Sequence, residues 1–321
     1  MEKRKLGRTG IEVAPLAFGG NVFGWTADEP TSFKLLDVFL ACGFNLIDTA
    51  DSYSRWVPGH QGGESEIIIG KWMKATGNRD KVIVATKVGS DMGQGHVDLS
   101  PKWIFEEVEN SLRRLQTDYI DLYQSHRDDQ KTPLEETLGA YAKLIQQGKV
   151  RAIGASNYTA ERLREALDLS SRLGLPRYQT LQPEYNLYDR GGYEEYLEPL
   201  CINEGLGVIP YFSLASGFLT GKYRSESDLA KSARGNFVKK YLNDRGFKIL
   251  AALEEVAKEH RAKPGQIAIA WLIARPSIAA PIASATNLDQ LRDLVEATNL
   301  TLSKAAIDRL NQASAWTAQN K

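Results

Sequence analysis

Four side chains able to move or steer a proton stand where apolar runs end in the first part of this chain: Asp48, Tyr53, Lys87 and His126. Asp48 closes the run in GFNLIDTADSY, with Tyr53 just beyond it; Lys87 closes KVIVATK; His126 closes YIDLYQSH. A free phenol titrates near ~10, too high for easy proton exchange at neutral pH. An ammonium beside it favours the phenolate and lowers that value, and a carboxylate paired with the ammonium holds it in place. Tyr53 could then give a proton to a forming alkoxide or take one from an alcohol. His126 could orient or polarise the same oxygen. None of the four delivers a hydride, so redox chemistry here needs a cofactor. Each residue also has a plainer reading. Asp48 could cap the turn at Thr49–Ser52, Tyr53 could be a half-buried aromatic, and His126 could bond a neighbouring carbonyl. Lys87 is harder to dismiss after a run as apolar as VIVAT, and the joint pattern favours chemistry.

Such groups meet only if the elements that carry them end on one face. Short β-rich runs are expected at 13–18, 44–48, 82–87, 119–126, 150–155, 180–182, 207–211 and 279–283, with amphipathic stretches between them. Apolar residues recur at helical spacing over 33–42. Ser100-Pro101 is an N-cap followed by Pro in the first turn. Pro133-Leu134-Glu135-Glu136 opens another helix, and the stretch 159–172 ends at Gly174, a C-cap signal. Later helices are expected at 265–275 and 288–297. Eight strands alternating with helices indicate a parallel sheet, open or closed. No GxGxxG follows the first strand, as a dinucleotide-binding open sheet would favour. The eight-fold alternation favours an α/β architecture of the (β/α)8 TIM-barrel class, whose active sites lie at the C-terminal ends of the strands. Asp48, Lys87 and His126 would close its second, third and fourth strands. Lys5–Val13 reads as a hairpin placed to plug the N-terminal mouth. The polar stretch Gly221–Asp244 reads as a long loop after the seventh strand, either functional or a solvated insertion. No linker or composition break divides residues 1–321, which read as one domain.

Composition narrows the function class. Lys and Arg number 40, as do Asp and Glu, giving a formal net charge of zero. Little attraction to nucleic acid or anionic membrane is expected from such a chain. Hydrophobic residues make up 42%, enough for a sizeable core. Cys42 and Cys201 read as buried thiols in a reducing compartment. MEKRKLGRTG lacks the apolar stretch of a signal peptide, and no run is long enough to span a bilayer, so a cytoplasmic protein is expected. No HExxH, Cys/His cluster or GxSxG elbow appears, so neither a metal site nor Ser/His/Asp catalysis is indicated.

Beyond the four, LGRTGIEVAPLAFGGNVFG, ATK, QSH, GASN, QPEYN and YFSLASGFLTGKY occur in order along the chain. With GFNLIDTADSY, this ordered set resembles the aldo-keto reductase superfamily over essentially the full length. The resemblance implies a (β/α)8 barrel and reversible reduction of an aldehyde or ketone by a nicotinamide cofactor. It implies Tyr53 as general acid/base, Lys87 lowering its pKa, Asp48 holding Lys87 and also lying near the cofactor, and His126 orienting the substrate carbonyl. For the cofactor it implies Ser156, Asn157 and Gln182 on the nicotinamide carboxamide and Tyr211 stacked on the ring. Ser213, Leu214, Gly217 and Leu219 would wrap the pyrophosphate, Lys222 would add positive charge, and Gly20 and Asn21 would lie by the nicotinamide ribose. At the adenine end Ser284, Thr286 and Gln290 would bind the ribose phosphate. There the chain departs from the family, with Ser284 where Lys or Gly is common and Leu294 where an adenine-contacting Asn is usual. NADP is expected, with NAD the alternative.

The substrate pocket is expected to draw on Trp25, Trp56 and Arg127, beside Tyr53 and His126, with Tyr158 and Trp316 as further candidates. Arg127 could meet an anionic substrate or pair with Asp128. Two rival readings stand: a cofactor-binding regulatory subunit of the same fold that associates with a potassium channel, and an aldolase-like barrel with Lys87 as Schiff-base nucleophile. The substrate, the physiological direction and the oligomeric state are not specified by these residues.

Overall fold

A computed structural model of the protein describes residues 2–317. The ends of the expected domain 1–321, Met1 and residues 318–321, lie outside the described residues. The chain opens with an antiparallel hairpin, β1 (Arg4–Lys5) and β2 (Glu12–Val13). Eight parallel strands follow: β3 (Ala17–Gly19), β4 (Leu46–Asp48), β5 (Ile83–Val88), β6 (Ile120–Ser125), β7 (Val150–Ser156), β8 (Thr180–Gln182), β9 (Gly207–Val208) and β10 (Ile282–Ala283). The order around the sheet is β10-β3-β4-β5-β6-β7-β8-β9. Its two edges meet, because Val208 O accepts from Ala279 N and Pro210 O accepts from Ile282 N. This is the expected (β/α)8 barrel, and its closure leaves no free sheet edge.

The expected run at 13–18 divides in two. Glu12–Val13 pairs within the hairpin, and only Ala17–Gly19 joins the barrel. Leu6 and Val13 are buried with Ala17, Leu46, Ala85, Leu122, Ala152 and Ile209, so the hairpin seals the N-terminal mouth. Gly7 permits that contact: a Cβ there would stand 2.2 Å from Gln179 O, and its φ is +61°.

The outer helices follow their capping signals. Ser100 Oγ accepts from Trp103 N ahead of helix Pro101–Leu115. Thr159 Oγ1 accepts from Arg162 N ahead of Ala160–Leu173, which ends at Gly174 with φ 65°. Helices Glu64–Thr76, Asp244–His260 and Lys304–Ala313 add to those read from sequence. A second, larger core lies between the strands and this outer layer. No helix among the described residues is long and apolar enough to cross a membrane.

The stretch 221–244 is not a plain loop. It holds the short turns Glu226–Lys231, Gly235–Val238 and Lys239–Tyr241. Lys240 Nζ reaches Glu184 Oε1 at 3.0 Å, and Tyr241 OH donates to Asp189 Oδ2 at 2.8 Å. Arg234 lies over the Trp25 ring, its Cζ 5.4 Å from the centroid. The segment thus straps across the C-terminal mouth, from the loop after β8 to the loop after β3.

Candidate active site

Register brings Asp48 and Lys87 together, and Tyr53 reaches them from the turn after β4. Asp48 pairs with Gly19 on one side and Ala85 on the other, and Lys87 pairs with Gln124. The β5 strand delivers Lys87 into the barrel mouth, wholly buried. Its Nζ donates to Asp48 Oδ2 at 2.9 Å, Thr49 O at 2.7 Å and Tyr53 OH at 2.8 Å. Those three acceptors match the three protons of an ammonium. Asp48 is held from its other side by Gln182 Nε2, 2.8 Å from Oδ1. Its carboxylate faces Lys87, Gln182 and Tyr53 instead of capping the turn at Thr49–Ser52. With every Nζ proton engaged, Lys87 is poorly placed to attack a carbonyl.

The Tyr53 hydroxyl accepts from Lys87 and donates to Asp48 Oδ2 at a longer 3.3 Å. The titration argument made from the sequence is reversed in direction. Burial, then the Asp48 carboxylate, push the Tyr53 phenol well above its usual value. One ammonium already paired with a carboxylate does not offset the loss of water around a phenolate. Burial also lowers Lys87, against the opposing pull of Asp48. Tyr53 is therefore a protonated donor in this site. The His126 ring centroid lies 6.0 Å from that of Tyr53, with Nδ1 3.5 Å from Ser52 Oγ. Burial, then Lys87 and Arg127, hold the His126 imidazole well below its usual value, so it stays neutral.

The residues expected to hold a cofactor form one band around the mouth. Ser156 Oγ donates to Gln182 O at 2.8 Å. Asn157 Nδ2 donates to His126 O at 2.9 Å, and its Oδ1 accepts from Tyr211 OH at 2.8 Å. Ser213 Oγ donates to Ile282 O, tying Leu214 and the next turn to β10. That turn, Ala215–Thr220, contains Leu219 and has left-handed φ at Ser216 (57°) and Gly217 (96°). A Cβ on Gly217 would sit 3.3 Å from Lys222 Nζ, so glycine makes room for the ammonium over the turn. Left-handed backbone beside a lysine suits a phosphate group. Gly20 packs under this rim, with its O accepting from Ser65 Oγ. The Asn21 amide faces Ser284 Oγ and Gly19 O at one end and Arg234 Nη2 at the other. The orientation that satisfies both has Nδ2 donating to Ser284 at 2.8 Å and Oδ1 accepting from Arg234 at 2.8 Å. At the adenine end Gln290 Oε1 accepts from Thr286 N and Oγ1. Leu294 is a core residue. The donors, the turned backbone and Lys222 fit a nicotinamide dinucleotide.

Trp25 and Trp56 meet edge to face at 5.5 Å, and Trp56 lies 6.2 Å from the Tyr53 ring, making an aromatic wall. Two pocket candidates stand elsewhere. Tyr158 is buried with its hydroxyl 3.2 Å from that of Tyr178. Trp316 donates its indole N–H to Glu194 Oε2 on the turn Gly191–Glu194. Arg234 went unnoticed in the sequence, since nothing in KSARGN distinguishes it from a solvated stretch. Among the described residues no group of three or more His, Cys, Asp or Glu could hold a metal ion.

Comparison with known proteins agrees with this architecture. The sequence profile described as "Aldo/keto reductase family" matches residues 15–315. The chain is 36% identical to "Uncharacterized oxidoreductase YrpG" of Bacillus subtilis (strain 168), over 97% of this chain and 95% of that protein. It is 36% identical to "Aldo-keto reductase YhdN" of the same strain, over 94% and 90% respectively. It is also 32% identical to "Probable voltage-gated potassium channel subunit beta" of Arabidopsis thaliana, over 97% and 96%. A match running through nearly every strand and helix of the barrel has one reading: the chain belongs to the aldo/keto reductase family and is an oxidoreductase.

Proposed function

We propose that this protein reduces an aldehyde or ketone to an alcohol, reversibly, using NADPH, with Tyr53 as the proton donor. The observation that carries the reading is the buried Lys87 ammonium bonded at once to Asp48, Thr49 O and the Tyr53 hydroxyl. A bound nicotinamide supplies the hydride to the carbonyl carbon. The protein's part is the proton. The phenol is protonated before reaction, and its bond to Asp48 is long enough to exchange for one to a substrate carbonyl oxygen. As the C=O bond becomes a C–O single bond, the Tyr53 proton passes to the oxygen. The resulting phenolate is stabilised by Lys87, which gains attraction as negative charge appears. Neutral His126 orients the carbonyl without competing as an acid. Ser156, Asn157 and Tyr211 fix the nicotinamide, and the turn with Gly217 and Lys222 takes the pyrophosphate.

The reading treats 1–321 as one cytoplasmic barrel domain acting on a small molecule, in line with the zero formal net charge. NADP is preferred from the family. NAD, with oxidation as the working direction, is the alternative, because Ser284, Thr286 and Gln290 carry no positive charge. A panel of neutral aldehydes with NADPH and NADH tests the proposal: falling absorbance at the nicotinamide band supports it, and no turnover of any member overturns it. A second reading draws on the relatives named potassium channel β subunits. Under it the chain binds cofactor, lacks turnover on that panel and associates with a channel.

A further inference from the structure

Gln182 closes β8 and Asp48 closes β4. In the strand order β5, β6 and β7 separate them on one side and β9, β10 and β3 on the other, so they stand on opposite walls of the barrel. Their buried side chains meet across it, Gln182 Nε2 donating to Asp48 Oδ1 at 2.8 Å. The Gln182 backbone is pinned in register with Ser156, whose Oγ donates to Gln182 O at 2.8 Å. This amide is therefore not a free reader of whatever enters the mouth, because its Nε2 is already turned to the carboxylate that holds Lys87. Asp48 divides its two oxygens unequally. Oδ2 receives Lys87 Nζ at 2.9 Å and the Tyr53 hydroxyl at 3.3 Å. Among the described residues Gln182 is the only side-chain donor to Oδ1. While Tyr53 keeps its proton, one cation and one anion balance. Once Tyr53 gives it up, two anions share the single Lys87 ammonium and Asp48 has lost the Tyr53 donor. Away from water the donors that remain weigh more. Gln182 serves Asp48 without being called on by the phenolate, so it leaves more of the Lys87 charge to Tyr53.

We infer that Gln182 is a positioning residue for proton transfer: by holding Asp48 Oδ1 from across the barrel, it stabilises the state in which Tyr53 has lost its proton. The inference rests on the carbonyl-reductase reading and gives Gln182 a role separate from any hold on the nicotinamide. Gln182 exchanges no atom in the reaction. In the oxidative direction the Tyr53 phenolate takes the hydroxyl proton of the alcohol while hydride leaves the carbinol carbon for the oxidised nicotinamide.

Gln182→Met, similar in length but without the donor, tests it. The readout is kcat against pH for oxidation of the alcohol made from a neutral aldehyde that wild type reduces, at saturating oxidised cofactor. The charged and titratable groups facing Tyr53 are Asp48 from β4, Lys87 from β5, His126 after β6, Tyr211 after β9 and Arg234 from the strap, with Asp51 and Glu66 beyond Lys87. Gln182 bonds the first of these. In Gln182→Met the rising limb of the profile is expected to move to higher pH by about one unit, roughly tenfold in the ionisation constant, as for loss of a hydrogen bond to a charged group. In an Asp48→Asn background, where the acceptor is neutral, the same substitution is expected to move it much less. A residue that only holds the nicotinamide gives a different signature, a raised NADPH Kd and a limb that stays in place at saturating cofactor. That result, or a displacement equally large in Asp48→Asn, overturns the inference while leaving carbonyl reduction standing. A wild type that reduces no aldehyde overturns both readings together.

Discussion

At the scale of single residues, the chemistry turns on where one proton sits. Tyr53 is held protonated by burial and by Asp48, so its folded-site pKa lies above the phenol's ordinary value. Reduction needs that proton in place. Its rate is expected to stay flat as pH rises through the neutral range, whereas alcohol oxidation, which needs the phenolate, is expected to climb with pH. Initial rates in both directions at saturating cofactor check this; a reduction rate that falls between pH 6 and 8 would contradict it. Tyr53→Phe is expected to lower kcat by ~10²–10⁴-fold, the usual worth of general acid catalysis. Its cofactor Kd, read by fluorescence quenching, should hardly move. Lys87→Met leaves the Asp48 carboxylate buried without its ammonium. Removing one partner of a buried pair costs ~3–5 kcal/mol, which urea denaturation would register. Asp48 and Lys87 were legible from sequence because each stands at or next to the end of an apolar strand, and Tyr53 because it follows on the turn after the first of them. The direction of the Tyr53 shift was not legible, because it depends on how completely the fold removes water.

Elements place these residues, and two of them carry features no motif announces. The turn after β4 buries Asp51, whose two carboxylate oxygens have no hydrogen-bond partner in the protein. Burial, then Glu66 and Glu107, raise it well above the ordinary carboxylate range. The folded chain therefore holds a proton that the unfolded chain releases above ~3.9. Stability is lost on this account as pH rises past that value, and the loss is absent below it. Asp51→Asn removes the titration, so its gain over wild type in urea midpoint is expected to be larger at pH 8 than at pH 5. The strap 221–244 is the second feature. It docks through Lys240 and Tyr241 at one end and reaches Asn21 through Arg234 at the other. A hydrogen bond to a charged group contributes ~1.5–3 kcal/mol. If Arg234 braces the cofactor rim through Asn21, Arg234→Ala raises the NADPH Kd by roughly tenfold, and an unchanged Kd removes the strap from cofactor binding.

The whole molecule is a closed barrel plugged at one end and strapped at the other. Leu6, from the hairpin, lies in the plug core far in sequence from Ile209 and Ile282. Leu6→Ala leaves a cavity in a well-packed interior and is expected to cost ~2–5 kcal/mol, seen as a lower urea midpoint. Cofactor binding reaches the same global scale, because any ligand held only by the fold stabilises it. At a hundredfold excess over Kd the gain is ~2.7 kcal/mol. NADPH is expected to raise Tm more than NADH at equal concentration. The reverse order would follow if the uncharged set Ser284, Thr286 and Gln290 leaves the extra phosphate without a partner.

The sequence by itself determined the alternation of strands and helices, the positions that end strands, and the family, because these follow from local period, capping chemistry and the order of motifs. Eight β-rich runs and four polar termini suffice to place a site on one face of a barrel. Tertiary structure alone decided what each polar group does there. It engaged all three Lys87 protons, committed Gln182 to Asp48, buried Tyr158 and sent Trp316 to Glu194. It folded a polar stretch into a strap, and it paired Asp128 with Arg162 so that Arg127 stands free beside His126. Partner choice and desolvation depend on which segments distant in sequence close over a group, and no local pattern encodes that.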